Sequence, residues 1–328
     1  MTSSSSGLLD PSYGEYEVLD GESEDAWRKS TLFESPMIRF KAHNQILPQR
    51  FLGVAKKIHE FETRKDDVWI VSQIKSGSTW MGELSWCILH DLDFETALRD
   101  SLDMRMTYLE INAVSLECQQ DFIPKDIIEV ANTSSSPRLI KTHLSWSMLP
   151  KQILQKGNKM IYMLRNPRDV CISMYNHFRI FYNYTASMEE HVNHFLSGNC
   201  GYYTPHDVNI LEHVRRRQDS PNILLVTYEE MKTDLSCVID RVCKFLERPI
   251  LEKPDKERLI DHLSIGKMRD NPSVNRGKAS NIYVKNGQFI NKGIVGNWKS
   301  TFSPDIIKQF EEWEKDKFNG LDFEWVFE

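Results

Sequence analysis

The chain has 328 residues, 40% of them hydrophobic and 27% charged, with a net charge of −6. These are globular proportions, and the charge excludes a chain-wide basic surface for nucleic acid or an anionic membrane while allowing a local anion pocket. No segment approaches the roughly 18–20 apolar residues that cross a bilayer, and the start, MTSSSSGLLD, lacks the basic and apolar regions of a secretory leader. The six cysteines include no CxxC pair, and four of them (Cys87, Cys171, Cys237, Cys243) fall in helical patterns. Reduced thiols in a cytoplasmic protein are expected.

Residues 1–30 are rich in Ser, Gly, Asp and Glu and lack periodicity. They are expected to form a flexible N-terminal tail. No linker or internal repeat divides residues 31–328, which read as one domain. Four short apolar runs read as buried strands: Val68–Ile74, Arg138–Thr142, Lys159–Leu164 and Asn222–Thr227. Continuous apolar runs suit a parallel sheet covered on both faces. Helical patterns alternate with them at Thr79–His90, Pro167–Phe181, Pro205–Gln218, Glu229–Leu246 and Pro304–Lys317. Pro167, Pro205 and Pro304 are expected in first helical turns, where proline is tolerated. The alternation predicts a three-layer α/β fold, a parallel sheet with helices on both faces.

The first strand runs into Lys75-Ser76-Gly77-Ser78-Thr79-Trp80, a short turn that opens a helix. Such a turn aims backbone N–H groups and the positive end of a helix dipole at one point. Gly77 allows close approach; Ser76, Ser78 and Thr79 add hydroxyls, and Lys75 adds a full charge. This is a P-loop-like site for phosphate or sulfate, but not a Walker A loop, because the lysine precedes the only glycine. Lys141-Thr142-His143 closes the second strand, at the sheet end where open parallel sheets bind ligands. Arg165 closes the third and suits bidentate phosphate binding. Ser173 follows about two turns into the next helix. Arg168 and Asp169 read as a local ion pair or helix cap. Near the C-terminus, Asn291-Lys292-Gly293 begins a Gly- and Lys-rich loop able to fold over an anion. His191 and His194 lie at i, i+3 without a third ligand, so no metal site is expected.

Together these motifs resemble the cytosolic sulfotransferases, from about residue 35 onward. Lys75–Trp80 is similar to that family's 5'-phosphosulfate loop, and Lys141-Thr142-His143 to its segment carrying the catalytic histidine. Arg165 and Ser173 match its 3'-phosphate pair, Tyr228 a tyrosine of the nucleotide site, and Lys292-Gly293 its C-terminal loop. Asn291 stands where the family has arginine, and Ile265 where it has a phenylalanine near adenine. The family's dimerisation motif is degenerate over Lys299–Lys308.

The resemblance implies a sulfotransferase that moves a sulfuryl group from PAPS (3'-phosphoadenosine-5'-phosphosulfate) to a hydroxyl of a small apolar acceptor. A phenol, a steroid or a retinoid-like alcohol would serve, as in xenobiotic or hormone metabolism. His143 would be the general base, with Lys75 and Lys141 stabilising charge and no metal required. No nucleic-acid or membrane partner is implied. A P-loop-like small-molecule kinase and a non-catalytic nucleotide or apolar-ligand carrier remain open, as does elimination after transfer to an allylic alcohol. Aromatic and Met residues at Met104–Tyr108, Trp146–Met148 and Phe178–Tyr184 could line the acceptor pocket or form plain core.

Overall fold

The structure, a computed structural model, describes residues 8–20, 27–276, 288–290, 293–321, 323 and 325. Two sheets organise the described residues. The first is antiparallel, in the order β1 (Leu8–Asp10), β2 (Gly14–Val18), β3 (Met37–Phe40) and β4 (Gln45–Pro48). The second comprises β5 (Val68–Ser72), β6 (Thr107–Tyr108), β7 (Leu139–Thr142), β8 (Lys159–Leu164) and β9 (Ile223–Thr227). Its spatial order is β6-β7-β5-β8-β9, and every pairing is parallel. The four expected strands are its β5, β7, β8 and β9. Two-residue β6 is too short to leave a pattern in the sequence.

Alternate residues of each parallel strand enter two separate cores. Trp69, Val71, Tyr162 and Leu225 join one, while Val68, Ile70, Ile161 and Val226 join the other. This is the physical reason for the continuous apolar runs: neither face of the sheet meets water. Helices α1 (Ser78–Leu89), α2 (Pro167–Tyr182), α3 (His206–Arg217), α4 (Tyr228–Thr233), α5 (Leu235–Phe245), α6 (Ile265–Asp270) and α7 (Pro304–Phe318) supply the outer layers. Met81 and Leu84 of α1 and Val238 and Val242 of α5 pack on one face. Val170 and Met174 of α2, Ile210 of α3 and Phe310 of α7 pack on the other. The three-layer α/β architecture is therefore present. With β7 on one flank of β5 and β8 on the other, the carboxyl ends of the central strands open on one crevice.

Three expectations need correction. Within the span read as a flexible tail, residues 8–20 and 27–30 are built into the fold. Asp10 accepts the N–H groups of Ser12 and Tyr13 (2.8 and 2.9 Å), closing the β1–β2 turn. Tyr13 and Trp27 are buried, and the Trp27 ring lies so close to Gly201 that a Cβ there would come within 2.7 Å. The polar composition hid these two aromatic anchors. The pattern Glu229–Leu246 is two helices, because Asp234 leaves helical geometry and caps α5 by accepting from the Cys237 N–H at 2.9 Å. Pro205 is the extended residue before α3 rather than its first helical residue.

Candidate active site

After β5 the chain turns sharply. Lys75 takes a left-handed backbone conformation (φ +67°) and Gly77 another (φ +105°). A Cβ on Gly77 would fall 2.9 Å from Cδ2 of Tyr228, so glycine is required both by dihedral and by contact. The turn delivers the N-terminus of α1, whose first N–H groups have no partner within the helix, into the crevice. Lys75, Gly77, Ser78, Thr79 and Trp80 line one cavity with Lys141, His143, Arg165, Ser173, Tyr228, Ile265 and Gly293. Ser76 is the exception among the loop residues; it is buried beneath the turn and donates its N–H to the Gln73 carbonyl at 3.3 Å. Asn291 and Lys292 lie outside the described residues.

His143 follows β7 beside β5. Its Nδ1 donates to the Ser72 carbonyl at 2.8 Å, with the Ser72 hydroxyl 3.1 Å away. That bond fixes the tautomer and leaves Nε2 as the proton acceptor. Burial, followed by the Lys141 charge, holds the imidazole well below its usual pKa, so the ring is neutral near pH 7. Asn209 braces the turn by donating to the carbonyls of His143 and Leu144, both at 3.0 Å.

Glu110, two residues beyond β6, was not legible in the sequence. Its Oε1 accepts from the His143 backbone N–H (2.6 Å), the Thr142 hydroxyl (3.1 Å) and the Tyr203 hydroxyl (3.1 Å). Its Oε2 is buried without a partner among the described residues. Burial raises its carboxyl to about 7. Nothing marks this residue in the chain, because its partners are 32 to 93 positions away.

On the other flank Arg165 lies over the Tyr228 ring, with Cζ 4.2 Å from its centroid, and donates to the Lys75 carbonyl at 3.3 Å. Its Nε is buried and unpartnered among the described residues, a donor held ready for an anion. Trp80 meets Tyr228 edge-on at 5.5 Å. Gly293 (φ +63°) sits so near Ile265 that a Cβ would come within 2.6 Å of its Cδ1. Thus Trp80, Tyr228, Ile265 and Gly293 form one apolar-faced cradle next to Arg165. Asp169 is no mere helix cap: its carboxylate accepts from the N–H groups of Gly296 (2.7 Å) and Trp298 (3.2 Å), tying the C-terminal loop to α2. Arg168 pairs with distant Glu314 at 2.6 Å rather than with Asp169.

The cations crowd together. Burial lowers Lys75 to about 7, aided by the charges of Lys141, Arg276 and Arg165. Burial also lowers Lys141 to about 7, aided by Arg276. Each ammonium rests on a ring, Lys75 at 4.5 Å from the Phe289 centroid and Lys141 at 4.3 Å from that of Tyr108. Two lysines whose ammonium forms are destabilised in one cavity describe a site that is short of negative charge. Of the aromatic stretches considered for the acceptor, Tyr108, Phe181 and Tyr182 line the cavity, Met148 and Phe178 are core, and Met104 is exposed.

Among the described residues, one trio (Glu83, Cys87 and His262) has potential metal-ligand atoms within 4.8 Å of one another. Both Glu83 oxygens already serve other groups, Arg105 at 2.8 Å and His262 at 2.7 Å, so the cluster is a buried Glu83–Arg105 ion pair with a hydrogen-bonded histidine. His191 bonds the Cys171 carbonyl at 3.0 Å, within the core.

A sulfotransferase-domain family model matches residues 65–322. Luciferin sulfotransferase of Photinus pyralis is 33% identical over 336 residues, covering 96% of this chain and 83% of that protein. Sulfotransferase 1E1 of Rattus norvegicus is 32% identical over 278 residues, covering 82% and 89%. Among solved structures, retinol dehydratase in complex with retinol and PAP superposes with a TM-score of 0.85 at 27% identity, covering 95% of this chain and 98% of that one. The chain belongs to the sulfotransferase family and is, as such, an enzyme that takes its sulfuryl group from PAPS. The kinase and carrier readings are not favoured by these relatives. No helix among the described residues is long and apolar enough to cross a membrane.

Proposed function

We propose that residues 31–328 act as one catalytic unit in the cytosol, moving a sulfuryl group from PAPS to a hydroxyl on a small, largely apolar acceptor. The observation that carries this is His143, with Nδ1 engaged by the Ser72 carbonyl and its ring lining the same cavity as Lys75 and Lys141. A neutral imidazole with Nε2 available is a general base for an alcohol or phenol. The five cysteines that are free among the described residues agree with a reducing compartment.

The residues present fit the donor. The Arg165 Nε without a partner, with Ser173 on the same cavity wall, suits the 3'-phosphate. Trp80, Tyr228, Ile265 and Gly293 form the cradle for adenine, in which Ile265 is an aliphatic face. Ser78, Thr79 and the α1 N-terminus suit the 5'-phosphosulfate, with Ser76 shaping the turn from beneath. The donor supplies an activated sulfuryl group on a phosphate that is a good leaving group. His143 Nε2 takes the acceptor's hydroxyl proton as its oxygen attacks sulfur. Lys75 stabilises the charge that grows on the departing oxygen, and Lys141 that on the sulfuryl oxygens. Asn291 and Lys292, which precede Gly293 in sequence, lie outside the described residues.

Phenols, steroids and retinoid-like alcohols all suit the aromatic lining. A solved relative is a retinol dehydratase with retinol bound, so product mass has to separate stable sulfonation from elimination. The first test is a thermal-shift titration with 3',5'-bisphosphoadenosine against 5'-AMP and ATP–Mg²⁺. At 100 times its Kd a true ligand adds about 2.7 kcal/mol. Stabilisation by the bisphosphate alone is expected; stabilisation by ATP–Mg²⁺ alone would overturn the reading. Arg165→Ala should weaken bisphosphate binding at least tenfold, and an unchanged Kd would remove Arg165 from the 3'-phosphate site.

A further inference from the structure

The two lysines, Arg165 and the α1 N-terminus together answer the negative charges that the donor brings. Among the described residues one more cation lines the cavity. Arg276 follows the helical turn Pro272–Asn275 in a left-handed conformation (φ +48°) and lines the same cavity as Lys75, Lys141 and His143. Its Cζ stands 5.1 Å from the centroid of Phe289, the ring that also carries the Lys75 ammonium. On the mouth side one Nη pairs with Asp103, whose side chain is half exposed. The other guanidinium donors meet no acceptor among the described residues.

It stands where the lysines meet the acceptor side of the cavity. The Arg276 charge acts on Lys75 and Lys141 and also on His143, Tyr182 and His177. His177 lines the cavity, and its Nδ1 is buried without a partner among the described residues. The cradle of Trp80, Tyr228, Ile265 and Gly293 belongs to another part of the wall. An apolar alcohol would leave this guanidinium and the His177 nitrogen without a counterpart in a cavity already over-supplied with positive charge. The buried His177 nitrogen left in that state carries a desolvation penalty, and a carboxylate takes a guanidinium's N–H groups in pairs.

We propose that Arg276 selects acceptors that carry an anionic group, a carboxylate being the simplest, in addition to the hydroxyl that receives the sulfuryl group. This deepens the reading of the site as a sulfotransferase and rests on it. Asp103 acts as the resident counter-ion, holding Arg276 at the mouth until the acceptor's own anion shares the guanidinium.

The test compares 3-(4-hydroxyphenyl)propanoate with its methyl ester, which differ in charge and hardly in shape. Dissociation constants are measured with and without 3',5'-bisphosphoadenosine, and kcat/KM with PAPS. The wild type should favour the acid by about tenfold or more, the range of one charge-assisted bidentate contact. In Arg276→Met the acid-to-ester ratio should collapse to about one, and Arg276→Lys should restore part of it. Asp103→Asn, by releasing the guanidinium, should raise the ratio. Equal affinity for acid and ester in the wild type, or an unchanged ratio in Arg276→Met, overturns the proposal. Binding without nucleotide is read separately. A failure to bind the bisphosphate would therefore strike the sulfotransferase reading, while the charge preference is still decided.

Discussion

His143 and Glu110 illustrate how much chemistry can rest on a single side chain. His143→Ala should lower kcat by about 10²–10⁴-fold, the usual worth of a general base, while leaving bisphosphate stabilisation intact. A variant retaining more than about a tenth of the rate would remove His143 from that role. Glu110 meets His143 only through its backbone N–H, so its influence on the proposed base is positional. Its carboxyl, raised to about 7 by burial, accepts three donors best when ionised. At saturating donor, kcat of the wild type should therefore rise with pH through about 7. Glu110→Gln, which cannot ionise, should flatten that rise, and a rise that persists unchanged would assign it elsewhere. The histidine was legible because a polar residue ending an apolar strand stands out. Glu110 was not, because its meaning lies in Thr142, His143 and Tyr203, none of which is its neighbour in sequence.

Among elements, the turn after β5 and the last residues of β7 each bring a lysine, Lys75 and Lys141, into one cavity. In the free enzyme both lysines are lowered to about 7. The sign follows from the charges. A bound polyanion raises both values again, so binding above pH 7 takes up protons, and affinity falls as pH climbs from about 7 toward the bound-state values. Calorimetric titration of 3',5'-bisphosphoadenosine at pH 8, in buffers of different ionisation enthalpy, should show a net proton uptake. Heats independent of buffer would mean that the lysines are already charged. The strands themselves were readable because both their faces are buried, and the loops after them because Lys75, Lys141 and Arg165 recur at the same strand ends. The break at Asp234 was hidden within apolar periodicity that continues across it.

At the scale of the molecule, stability depends on imidazoles kept neutral. Burial holds His191 and His206 at about 3 and His213 at about 4; both ring nitrogens of His206 lack partners among the described residues. The unfolded chain protonates near 6.5, so it binds more protons than the native state as pH falls below that value, and stability is lost from there downward. Each such histidine costs roughly 2 kcal/mol by pH 5, an order-of-magnitude figure. Urea melts should show a clearly lower stability at pH 5 than at pH 7.5, and equal midpoints would contradict the buried, neutral state of these rings. The N-terminal sheet belongs to the same scale. Its strands were not foreseeable from a polar composition, because what makes Tyr13 and Trp27 core residues is supplied by Phe40, Phe178 and Gly201, far along the chain.

The hydrogen bond from His143 to Ser72 also separates two inheritances. Ser72 and Lys75 stand three residues apart on one continuous run of chain, so the carbonyl that orients His143 and the ammonium proposed to meet the leaving group share a single mount. Other residues that line the cavity, among them Ile111, Phe181 and Arg276, come from stretches far from that run. Substitutions in those stretches are free to retune what is recognised without disturbing when bonds break and form. A fold so divided keeps one reaction while its clientele changes.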